Sequence, residues 1–155
     1  NGTICEGPGH NYAEVGTYLV TVSVTDKDGD TGSNSIDHRV IYDFTGFFRP
    51  VENPDEVNSV KAGQAIPVKF SLNGDQGLDI FADGYPQSVG TVCGASTNDI
   101  GETTETAGNS ELHYDAGADT YTYVWKTEKG WSGTCRQLTV KLKDSTEHVA
   151  YFSFK

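Results

Sequence analysis

TYTYVWKTEKGWSGTCRQLTVKL, residues Thr120 to Leu142, holds both tryptophans of the chain, one of its three cysteines and two runs of period-two alternation around a glycine-containing loop. Successive side chains of a strand point to opposite faces. Tyr121, Tyr123 and Trp125 therefore share one face of the first run, and Leu138, Val140 and Leu142 share one face of the second. The spacing predicts two antiparallel strands, with a cysteine at the start of the second, whose apolar faces other strands must cover. No acid, base and nucleophile stand together in the stretch, so it defines a kind of module rather than a chemistry.

The composition outside this stretch agrees with it. The 155 residues suit one domain, or a domain of about 110 residues plus a fragment. Eight tyrosines, seven phenylalanines and many Val and Thr are punctuated by eighteen glycines, with no helix-forming run of Ala, Leu, Glu and Lys, so the expected class is all-β. A net charge of -11 repels phosphate backbones and anionic lipid surfaces, which argues against nucleic-acid and membrane-surface partners. No run of about twenty apolar residues is present, so no membrane span is expected. With no methionine and no signal peptide, the chain reads as a piece of a longer secreted polypeptide exported by an upstream signal.

Upstream, residues 10–33 read HNYAEVGTYLVTVSVTDKDGDTGS. Tyr18, Val20, Val22 and Val24 alternate with Leu19, Thr21, Ser23 and Thr25, which predicts a half-buried strand, a polar turn over Asp26 to Gly32, and a return strand from about Ser35 to Tyr42. The histidine, the Gly-Thr-Tyr opening, the Val/Thr alternation and the Asp/Gly-rich turn resemble the C-terminal third of a PKD domain, an immunoglobulin-like β-sandwich. The resemblance covers about residues 1–42. The earlier strands and the family's W-x-F-G-D-G segment are absent, so residues 1–43 are expected to be a C-terminal fragment of a PKD-like domain. A lone hairpin is marginal in water. It must pack on the downstream domain, pair with another chain, or be the stump of a cut domain.

Asp43 to Asp55, with two prolines, reads as a domain junction, packed rather than loose because Phe44, Phe47 and Phe48 are costly to leave wet. Beyond it, Val57 to Leu72 predicts a short strand, an Ala-Gly turn and a strand placing Ile66, Val68, Phe70 and Leu72 on one face. Pro67, lacking an N–H, belongs where the ladder is unpaired. Leu78 to Phe81 and Glu111 to Tyr114 read as short strands, Thr97 to Gly108 as an exposed acidic loop or edge, and His148 to Lys155 as a last strand with Ala150, Phe152 and Phe154 on one face. The run Ile66-Pro67-Val68-Lys69-Phe70-Ser71-Leu72, the following Gly74 to Asp79, the pattern from Tyr121 to Arg136 and the ending Phe152-Ser153-Phe154-Lys155 together resemble the bacterial PxKF domain, over about residues 46–155. The resemblance implies that residues 44–155 form a PxKF-like β-sandwich domain at the C-terminal end of a secreted multi-domain bacterial protein, with no defined activity of its own. It also pairs Cys93 with Cys135. Closing a loop of roughly forty residues is worth about 4 kcal/mol in the chain-entropy model. Cys5 is then left over, either free or once paired within the upstream domain. Near it, Asn1-Gly2-Thr3 is a formal glycosylation sequon of little meaning in a bacterial chain.

Three candidate sites have plainer readings. Asp26, Asp28 and Asp30 mimic the start of a calcium loop, but the glycine comes one position early and no glutamate stands at the twelfth position, so an acidic hairpin tip explains them as well. Tyr121, Tyr123, Trp125 and Trp131 could form a sugar-stacking strip. Core packing explains them more simply, with Trp125 against a Cys93–Cys135 bridge as in immunoglobulin sandwiches. Trp131, in its glycine-flanked loop, is the candidate for ligand stacking. The four histidines show no H-E-x-x-H spacing, and no G-x-S-x-G elbow or phosphate-binding loop appears. The expected function is a non-catalytic extracellular module, secreted or at the cell surface, acting as spacer or interaction domain. Its partners would be parent-protein domains, another protein, a polysaccharide, or a second copy through the N-terminal hairpin. Alternatives are a carbohydrate-binding module of a secreted hydrolase and a calcium-stiffened adhesin stalk domain.

Overall fold

The structure is a computed structural model that describes residues 9–93, 102–106 and 111–155. Cys5, the sequon and parts of the acidic stretch 97–108 lie outside the described residues. The described chain is all-β, its strands running antiparallel except for one edge pair, with a single 3-10 turn and no α-helix. It divides into two compact units, Asn1–Ile41 and Tyr42–Lys155.

The first unit is a β-hairpin. β1 (Gly16–Thr25) pairs with β2 (Thr31–Val40) over ten residues each, in unbroken register from Gly16↔Val40 to Thr25↔Thr31. Its turn is held by the Asp26 carboxylate, whose Oδ1 accepts the N–H groups of Asp28 and Asp30 at 2.9 and 3.0 Å. One face carries Tyr18, Val20, Val22, Val24 and, across the ladder from Val20, Ile36. Threonine and serine hydroxyls line much of the other face, with Thr21 bonded to Ser35 at 2.7 Å and Thr25 to Thr31 at 2.8 Å.

The second unit is a sandwich of two sheets, in keeping with the immunoglobulin-like class. One sheet contains β3 (Thr45–Phe48), β5 (Ala65–Ser71) and β10 (Thr120–Lys126), with β8 (Glu105–Thr106) and β9 (His113–Asp115) both pairing to β10. The other runs β4 (Val57–Val60), β12 (Glu147–Phe154), β11 (Cys135–Lys141), β6 (Gln87–Thr91) and β7 (Glu102–Thr103). The exception to antiparallel pairing is β4, which lies parallel to β12 at the sheet edge. The core is built from the alternating faces: Ile66, Val68 and Phe70 of β5 and Tyr121, Tyr123 and Trp125 of β10 on one side, Leu138, Val140, Ala150, Phe152 and Phe154 on the other.

β10 and β11, the two strands of the TYTYVWK…CRQLTVKL stretch, do not pair with one another; they belong to opposite sheets. Both carry large apolar faces, and those faces are buried by turning toward each other across the core, with residues 127–134 and their 3-10 turn (Lys129–Trp131) arching between the layers. The junction expected at 43–55 is part of the sandwich. β3 pairs with β5, Phe47 and Val51 are buried, and Phe44 stacks on Phe70 and on His148. Tyr42 and Asp43 also belong to the sandwich rather than to the hairpin. The Tyr42 N–H donates to Asp144 Oδ2 at 2.7 Å, and Asp43 accepts from Asn73 Nδ2 at 3.1 Å. Gly46 is fixed by close approach, because a Cβ there would stand 2.5 Å from Asn53 Oδ1, the atom that accepts the Phe47 N–H. Pro67 lies beyond the reach of β3, whose pairing stops at Lys69, so only β10 flanks it. Leu78 to Phe81 form no strand; Phe81 alone makes a bridge, to Leu142.

Candidate functional site

Cys93 and Cys135 are joined, with Cα atoms 5.1 Å apart. The bridge differs from that of an immunoglobulin core in one respect. Leu138 and Val140 are the inward residues of β11, so Cys135 has the outward parity, and it pairs across the ladder with Thr91, two residues before Cys93. The disulfide therefore staples neighbouring strands of one sheet instead of spanning the two sheets. The inward position next to it belongs to Arg136.

Arg136 takes the place opposite Trp125 and Trp131 that a core disulfide was expected to fill. It is buried, donates from Nε to Ser88 Oγ at 3.0 Å, and lays its guanidinium 4.0 Å from the centre of the Trp131 ring. Trp131 also packs against Trp125 and Phe154, at 5.8 and 5.5 Å between centroids. The residue expected to offer a free ring to a ligand is thus half-buried, with a guanidinium over its face. Trp125 is fully buried and meets Phe152 edge-on at 5.2 Å. Its Nε1 is the one buried side-chain polar atom among the described residues with no hydrogen-bond partner.

Asp26, Asp28 and Asp30 sit together at the hairpin tip, but Asp26 is bonded to the turn and Asp28 to Lys27. Among the described residues no group of three or more His, Cys, Asp or Glu converges as metal ligands.

A cleft of about 730 Å³ opens beside the sandwich where the segment 102–106 passes from one sheet to the other, β7 pairing with β6 and β8 with β10. Its apolar wall is Phe81, Tyr85, Pro86, Leu112 and Tyr123. Its polar groups are Glu105, Lys126 and Glu111, with the threonines of the crossing segment. Lys126 Nζ donates to Glu105 Oε2 at 2.7 Å, and this contact holds the Glu105 carboxyl below, and the Lys126 ammonium above, their ordinary ranges. Thr104 Oγ1 shares a hydrogen bond of 2.6 Å with the Tyr123 hydroxyl and donates to the Pro86 carbonyl at 2.9 Å, which ties the crossing segment to both banks. Burial pushes the Tyr123 phenol above its usual range. A smaller cavity of about 90 Å³ shares Thr104, Glu105 and Lys126 and reaches Trp125 and Trp131.

Sequence reasoning did not find this cleft. Asp83-Gly84-Tyr85-Pro86 reads locally as a turn, and Glu105, Glu111 and Lys126 lie on three separate elements with no shared motif. No helix among the described residues is long and apolar enough to cross a membrane. Compared with known proteins, the chain matches no family model, no curated protein and no solved structure.

Proposed function

We propose that this chain is a non-catalytic extracellular β-sandwich module, acting as a spacer or interaction domain of a secreted bacterial multi-domain protein. The observation that carries this reading is how the buried polar side chains spend their bonds. Asn58 accepts the Glu52 N–H at 2.8 Å and donates to the Tyr151 carbonyl at 3.0 Å; Ser71 donates to Asp119 at 2.7 Å; Thr127 donates to the Gln64 carbonyl at 2.5 Å. Asp144 holds Tyr42 on one oxygen and Thr146 on the other. Each bond joins separate segments or closes a turn, which is the use buried polar groups have in a scaffold. The Cys93–Cys135 bridge supports an oxidising, extracellular setting, since structural disulfides persist there and not in a reducing cytosol. The PKD-like and PxKF-like motifs support the placement within a longer bacterial chain. Within this reading the partners are neighbouring domains of the parent, another protein or polysaccharide, and a second copy through the hairpin.

Chromogenic glycoside, ester and peptide substrates, assayed at micromolar chain, should give no turnover above buffer. Turnover that co-elutes with the chain and disappears on replacing a single carboxylate would falsify the proposal.

A further inference from the structure

We infer that the cleft between the 81–86 turn and the β8–β10 pair is a binding site for a neutral oligosaccharide. The inference rests on the reading of this chain as a non-catalytic interaction module and names its ligand class. A volume of about 730 Å³ lies within the roughly 300–1,000 Å³ of small-ligand clefts. Its walls combine two chemistries that a sugar ring also combines. Tyr85 and Phe81, both half-buried, offer aromatic surface to the C–H faces of a pyranose, and Glu105 beside Lys126 offers an acceptor and a donor 2.7 Å apart. Vicinal hydroxyls match such a pair, one donating to the carboxylate while its neighbour accepts from the ammonium. Both side chains are more than half exposed, so a ligand meets them without prior disruption of the core. Glu111 adds a further acceptor at the rim.

Other occupants fit less well. Anionic ligands meet two carboxylates in a chain of net charge -11. An extended peptide binding by strand addition needs an edge of several unpaired residues, and β8, the edge strand at the cleft, is two residues long. A second copy of a folded domain needs about 800 Å² of matched surface on each partner, far more than the walls of this cleft expose. A neutral polyol needs only what the cleft has.

Affinity electrophoresis of the disulfide-intact chain through gels containing xylan, mixed-linkage β-glucan, galactomannan, hydroxyethylcellulose or pullulan tests the inference. Retardation is expected in at least one gel. Tyr85→Ala and the double change Glu105→Gln with Lys126→Met should each weaken it at least tenfold, while Asp28→Asn at the hairpin tip leaves it unchanged. Unaltered thermal melting and an intact disulfide separate a lost site from a lost fold, and a variant that melts early is replaced by Tyr85→Leu, which removes the ring but keeps apolar bulk, and by Glu111→Gln, each expected to weaken retention severalfold. The inference fails if no gel retards the chain, if retardation survives both cleft variants, or if a lysine-rich peptide binds the cleft and no polysaccharide does. Release of reducing ends from the retained polysaccharide would instead overturn the non-catalytic reading and leave the binding site standing.

Discussion

Asp119 shows how one residue can organise a turn. Its φ of 47° places it in the left-handed region, which a short polar side chain tolerates when its oxygens find local partners. Here Oδ2 accepts from Ser71 at 2.7 Å, and Oδ1 accepts from the Gly74 N–H at 2.9 Å and from the Tyr114 hydroxyl at 2.8 Å. The hydrogen bonds from Ser71 and Tyr114 hold the Asp119 carboxyl below its usual range, and the same contact with Asp119 pushes the Tyr114 phenol up to about 12. The signs follow from linkage. A raised phenol contributes stability below about pH 10 that is lost as pH rises toward 12, and a lowered carboxyl contributes stability above about pH 4 that is lost on further acidification. Tyrosine ring-carbon NMR resonances should therefore show Tyr114 ionising near 12, and Asp119→Asn should return it toward 10. A Tyr114 that titrates at 10 in the unaltered chain would mean that the hydrogen bond is not formed in solution. None of this was legible in Asp115-Ala-Gly-Ala-Asp119, which reads only as a turn, because the partners at 71 and 74 are distant in sequence.

Alternation made the elements legible, and what it left open was which strands pair. Period two placed Tyr121, Tyr123 and Trp125 on one face and Ala150, Phe152 and Phe154 on another, and all six are buried. It carried no information on whether β10 and β11 share a sheet, because a hairpin and a sheet-crossing arch bury the same residues. β6 escaped notice because Gln-Ser-Val-Gly-Thr has little apolar character, yet β11 needs a neighbour on that side and β6 supplies it. β3 escaped because the two prolines of residues 43–55 suggested a packed domain junction rather than a strand. The cleft depends on β6, which pairs with β7, and on the two-residue strands β7 and β8, so it was illegible with them. The disulfide belongs to the same scale. It links β11 to the residue two beyond β6, across 42 positions of sequence. The chain-entropy model assigns about 4 kcal/mol to such a loop, reduced by any residual structure in the unfolded chain. Cys93→Ser is expected to lower the unfolding free energy measured in urea by about 2–4 kcal/mol without unfolding the sandwich, since Cys135 lies on the outward parity and the aromatic core does not rest on the bridge. A loss of all cooperative unfolding in Cys93→Ser would show that the staple holds the sheet itself.

At the scale of the whole molecule, the two units differ in how far they satisfy themselves. The sandwich covers its own apolar faces, whereas a two-stranded ribbon has no second layer, and isolated hairpins are marginal in water. Val22, Val24 and Ile36 are 61%, 67% and 69% exposed. Large aliphatic side chains each gain about 1.5–3 kcal/mol when fully removed from water, so Tyr18, Val20, Val22, Val24 and Ile36 favour any arrangement that covers them. The matching surface present at equal concentration is the same face of a second copy, packed about a two-fold axis. Charge opposes the encounter, because each copy carries a net -11. The expected signature is therefore a dimer that strengthens with protein concentration and also with salt, as screening removes the repulsion while the apolar contact persists. Sedimentation of the full chain should show this, residues 42–155 alone should stay monomeric, and Val22→Asp should shift the full chain to monomer with the sandwich melting unchanged. A full chain that remains monomeric at millimolar concentration and high salt would rule out self-pairing through the hairpin face.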